Sequence, residues 1–96
     1  MSAPRNSRPM IPPGPFYAAK CYWPGVTEQA LEWSASRAGA GYLGSILFRE
    51  DELALCLFDA ASRAAVRRTA EAVGIPCERV MGALWLPNPQ QEVLAP

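Results

Sequence analysis

Ninety-six residues carry nine basic and nine acidic side chains, no histidine and a formal net charge of zero. That balance argues against a nucleic-acid-binding protein, which shows a basic stripe, and no apolar run approaches the ~20 residues of a membrane-spanning helix. Three cysteines without C-x-x-C spacing form an odd set, read as reduced cytosolic thiols and not as a disulfide framework.

The chain opens on "MSAPRNSRPMIPPGP", which holds five of the ten prolines and no apolar periodicity. Proline removes backbone donors and biases its neighbours toward extended chain, so residues 1–15 read as a disordered leader, dispensable for folding. No apolar segment of a secretory signal precedes the fold, which points to the cytoplasm. About 75 residues then remain for a core, a size at which one hydrophobic core is marginal and oligomerisation is a common remedy.

"FYAAKCYW" (16–23) is aromatic and short enough for a strand. Pro24-Gly25 turns the chain, and Thr27 is placed to cap a helix through 38 whose inner face is thin: Leu31, Ser34, Ala35 and Ala38. "AGAG" stops it. "YLGSILFR" (42–49) and "LALCLFD" (53–59) follow as a hairpin around the acidic turn "EDE". Ser62 caps a second helix through Val73, with Val66, Ala70 and Val73 inward and Arg63, Arg67, Arg68 and Glu71 outward. Gly74 and Pro76 end it, "RVMGALWL" (79–86) is the last strand, and residues 88–96 read as a flexible tail.

The order β-α-β-β-α-β over 16–87 predicts a ferredoxin-like α+β domain, an antiparallel sheet with both helices on one face and the first and third strands at its centre. Lys20 is then the odd residue. Strand alternation gives it the same face as Phe16, Ala18 and Tyr22, and a lysine under the helices would be costly to desolvate, so this face is expected to be the uncovered one. Because that face is also apolar, a second subunit is the simplest cover, and Lys20 and Tyr22 would then line a cleft between two sheets. Lys20 snorkelling past its neighbours to water is the bland alternative.

Cys56 and Phe58 on the neighbouring third strand complete the candidate ligand-binding set, although the sequence leaves the face of Cys56 open. With Lys20 alongside, Cys56 would be an activated thiol; otherwise it is a small buried hydrophobe. Cys21 alternates away from Lys20 toward the core. Arg63 and Arg67 share a surface one helical turn apart that would suit an anion, or simply face solvent. Nickel favours imidazole or thiolate donors, and without histidine only cysteines and scattered carboxylates remain, so no metal residues and no cofactor are expected. No nucleophile–base–orienter set can be assembled.

Together "YWPGVT", "CLFDAAS", "AVR" and "GIPCERV" resemble a family of small bacterial proteins of unknown function, one branch of which is described as nickel-binding. The resemblance covers about residues 17 to 86 and implies a ferredoxin-like fold that pairs through its sheets as a dimeric α+β barrel. It aligns Cys56 with a cysteine frequent in the third strand, Asp59 with an acid at that strand's end, Asp51 with an acidic hairpin turn and Arg67 with a helical arginine. The family's second-helix histidine is Thr69 here, and an acidic position of the first strand is Lys20. The resulting expectation is a small homodimeric protein that binds a small ligand or partner. A nickel protein using Cys56 and carboxylates, and a cofactor-free enzyme of the dimeric barrel type, are its competitors.

Overall fold

A computed structural model of the protein describes residues 14–89. Its elements are β1 (Gly14–Tyr22), α1 (Glu28–Ser36), β2 (Tyr42–Phe48), β3 (Leu53–Phe58), α2 (Arg63–Ala72) and β4 (Arg79–Trp85). One four-stranded sheet, in the order β2-β3-β1-β4 with every neighbour antiparallel, makes this an α+β protein with two helices, compatible with the ferredoxin-like arrangement. Among the described residues no helix is long and apolar enough to cross a membrane.

β1 begins two residues before the expected strand and takes in the last two residues of the expected leader, with Gly14 opposite Trp85 and Pro15 opposite Leu84. Proline is tolerated there because the β1–β3 pairing stops at Tyr17–Phe58, so at Pro15 the strand is already an edge with no ladder partner for the missing N–H. The rest of the expected leader, 1–13, and the expected tail from 90 onward lie outside the described residues.

Both helices start where the caps were expected. The Ala30 amide donates to Thr27 Oγ1 at 3.0 Å, and the Ala65 amide to Ser62 Oγ at 3.1 Å, each satisfying one of the orphan donors of a first turn. α1 and α2 pack on the same side of the sheet. Leu31 from α1 and Val66, Ala70 and Val73 around α2 share one cluster with Ala19, Cys21, Ala54, Cys56, Phe58 and Val80 of the strands.

The acidic turn is a 3-10 turn, Arg49–Asp51, closed by Glu52 in the left-handed region at φ 53°. Glu52 is structural. Its carboxylate accepts from the Gly25 amide at 3.0 Å and its carbonyl from the Trp23 amide at 2.8 Å, which ties the β1–α1 turn to the hairpin. Arg49 in turn forms an ion pair with Glu28 at the start of α1. At the other end of the hairpin Gly41 must lack a side chain, because a Cβ there would lie 2.7 Å from the Asp59 carbonyl oxygen.

Candidate functional site

The register separates the four candidate residues. Lys20 sits opposite Leu55 and Tyr22 opposite Leu53, whereas Cys56 sits opposite Ala19 and Phe58 opposite Tyr17. Directly opposed residues in an antiparallel pair share a face, so Cys56 and Phe58 lie beneath the helices with the core, while Lys20 and Tyr22 are on the open side. Lys20 therefore does not activate Cys56. Grouping Cys56 and Phe58 with Lys20 and Tyr22 in one cleft is corrected on this point: two cleft residues stay together and two move to the opposite face.

The open face is apolar across all four strands. Phe16, Ala18 and Leu57 form its buried centre, with Leu43, Leu55, Met81 and Ala83 packed around them. Ile46 and Phe48 on β2, Tyr22 on β1 and Trp85 on β4 extend it outward, between 38% and 54% exposed. No element of the described chain covers it. Its cations stand at one end, where Lys20 is directly opposite Arg79 and its Nζ lies 3.8 Å from Glu78 Oε1. That pair is half-exposed and contributes little, about 0–1 kcal/mol. Lys20 thus snorkels to a carboxylate at the rim and does not sit in a dry centre.

On the helix side the polar chemistry gathers around Cys56, wholly buried beside Cys21. Ser45, its cross-strand partner on β2, donates its hydroxyl to Cys56 Sγ at 3.3 Å. Because Ser45 has one proton, the 2.6 Å contact with the Tyr42 hydroxyl is then donated by Tyr42. The adjacent Cys21 thiol lowers the Cys56 thiol; burial opposes it and Ser45 assists, and the net direction is down from the ordinary thiol range. The same contact with Cys56, together with burial, pushes Cys21 up, and burial alone is the main reason Tyr42 and Cys77 rise.

One thiolate is therefore expected to appear below the ordinary thiol range in an ultraviolet-absorbance titration of the folded protein, with the other two thiols titrating above it. Replacing Ser45 by Ala removes a donor to the thiolate, so the lowest midpoint moves up toward ordinary thiol values. A lowest midpoint that does not respond to Ser45→Ala would separate Cys56 from this hydrogen-bond chain.

Tyr42 and Ser45 of this chain floor an open groove of about 840 Å³ between α1 and the β2 hairpin. It exists because α1 buries only Leu31, Ser34 and Ala35, too little volume to fill the space over Tyr42, Ser45 and Leu47. Glu28, Glu32, Glu50 and Asp51 rim it, with Arg49 engaged by Glu28. Sequence reasoning missed this groove. Its signal was the thin helix face set opposite a strand carrying polar Ser45.

The arginines of α2 are dispersed: Arg67 donates to the Cys77 carbonyl at 3.4 Å, and Arg63 approaches Gly82. Trp33 stands 68% exposed on α1, with the Arg37 guanidinium 5.7 Å from its ring centroid. Among the described residues no three of Cys, Asp and Glu come together as a metal site, and all three cysteines are free.

No protein-family model matches the chain, and no curated protein or solved structure is similar enough to it to count as a match.

Proposed function

We propose that this protein is a ferredoxin-like, cytosolic binding module that works as a homodimer, its open sheet face closed by a second copy and a small ligand cleft left at the Lys20–Tyr22 rim. The observation that carries this reading is the apolar face itself: a sheet apolar on both sides, of which two helices cover one. Exposed large apolar side chains grouped around a buried apolar centre on one face mark an interaction site in a water-soluble chain. Four strands spaced ~4.8 Å and about seven residues long at ~3.4 Å give a footprint of roughly 450 Å² per copy. Two such faces bury roughly 900 Å² in projection, and more as corrugated accessible surface, near the ~1,000 Å² that marks the small end of specific interfaces.

Sedimentation velocity across a range of concentrations tests the reading. A concentration-dependent dimer is expected, and a monomer at every concentration would refute it.

The family resemblance suggests nickel, and the donor set bears on it differently. With no imidazole and no cluster of three or more ligating side chains among the described residues, calorimetry with reduced thiols at neutral pH is expected to give only weak nickel binding. A stoichiometric, sub-micromolar site would mean that thiolates and carboxylates assemble one that the fold as described does not hold.

A further inference from the structure

The open face is charged only toward its ends. Lys20 and Arg79 stand side by side at one end. At the other, β3 runs out at Phe58, which faces the helices, and alternation gives the next residue, Asp59, to the open side. Its backbone continues the ladder, the Asp59 amide donating to the Gly41 carbonyl at 2.8 Å. Asp59 is exposed and forms no ion pair among the described residues.

Resting on the dimer reading above, we propose that the two copies meet about a dyad that reverses strand direction, so that Lys20 of each copy lies over Asp59 of the other. Only some two-fold axes in the plane between the sheets are compatible with the charges. A dyad along the strands would lay the Lys20–Arg79 end over the apolar β2–β3 end of the second copy, around Phe48 and Leu53, where the second copy offers these cations no counter-charge and Glu78 alone accompanies them. A dyad across the strands instead brings the cationic end over the anionic one, twice.

The register locates that axis. Lys20 is opposite Leu55 and, by continuation of the pairing past Tyr17–Phe58, Asp59 falls level with Phe16. The midpoint between Lys20 and Asp59 is then the Ala18–Leu57 pair, the buried centre of the face, where a methyl group permits close approach. Four residues along and one strand across, the two charges are ~14 Å apart, and the line between them is tilted about 20° from the strands. Two sheets related by that dyad cross at about 40°, close to the ~30° at which aligned sheets pack.

The same separation makes the test clean, because a Lys20–Asp59 contact within one copy is out of reach. Lys20→Glu and Asp59→Lys are purified separately and their dimer dissociation constants measured by sedimentation equilibrium. Each variant alone places like charges over one another at two sites and is expected to weaken its homodimer at least about tenfold. Mixed one to one, they form a heterodimer in which one pair keeps its native polarity and the other is restored with reversed polarity, and affinity is expected to return to within about threefold of the wild type.

A wild-type protein that is monomeric throughout removes the dimer, and with it this pairing; the same result is expected if residues 1–13 or 90–96 of the same chain cover the face. A wild-type dimer whose single variants associate unchanged, or whose mixture stays as weak as either variant alone, overturns the Lys20–Asp59 pairing while the dimer stands.

Discussion

Replacing Tyr22 by Asp is expected to leave a folded protomer that sediments as a monomer. Tyr22 is 54% exposed on the single chain, so the substitution removes little packing from the protomer's own core. Against a second sheet the same position loses its water, and a carboxylate buried there without its own counter-charge costs about 3–5 kcal/mol, at least a hundredfold in affinity. Lys20 lies two residues away on the same face but is already engaged by Glu78. Ile46→Asp, on edge strand β2 and 45% exposed, repeats the experiment away from that lysine and is expected to give the same monomer. Arg68→Asp on the exposed outer side of α2 changes the charge by two units, twice the change in either sheet-face variant, and is expected to leave the dimer intact. Should both sheet-face variants stay dimeric, the interface lies elsewhere.

The faces of β1 were legible in the sequence because Lys20 marks one of them. Tyr17, Ala19 and Cys21 alternate against Phe16, Ala18, Lys20 and Tyr22, and a single charge decides which set the helices cover. β3 offers no such mark. "LALCLF" is apolar at every position because both faces of the sheet are apolar, so periodicity could not say whether Cys56 faced in or out. Only the register with β1 resolves it, and a register depends on contacts between strands distant in sequence.

The caps at Thr27 and Ser62 were legible for the opposite reason, since each acts within three residues of itself. The groove beside α1 fell between these cases. Its cause, a helix too slender for the space it roofs, was visible in Leu31, Ser34 and Ala35. Its floor was not, because Tyr42, Ser45 and Cys56 come together only through the β2–β3 pairing and the bulge near Gly44.

Ile75→Ala is expected to be the most damaging conservative change in the protein. α2 ends in a Schellman turn: Gly74, at φ 82°, gives its amide to the Glu71 carbonyl at 3.2 Å, and the Ile75 amide returns to the Ala70 carbonyl at 2.9 Å. That geometry swings Ile75 back beneath the helix, where it is the largest fully buried side chain among the described residues. Gly74 and Pro76 were readable as a stop signal; the residue between them was not readable as core, because a loop isoleucine has no periodicity to announce it.

Truncation leaves a cavity between α2 and the sheet and is expected to cost about 2–5 kcal/mol, with a melting temperature lower by roughly ten degrees or more for a domain of this size. If a second copy closes the open face, association is linked to folding, and the melting temperature of Ile75→Ala rises with protein concentration. In the Tyr22→Asp, Ile75→Ala double variant that rise disappears while the core defect remains. Thermal denaturation of the three proteins over a hundredfold concentration range tests both links at once. A small loss in Ile75→Ala would mean that the site collapses around the missing atoms, and a melting temperature independent of concentration in the single variant would deny the second copy its part in holding the fold together.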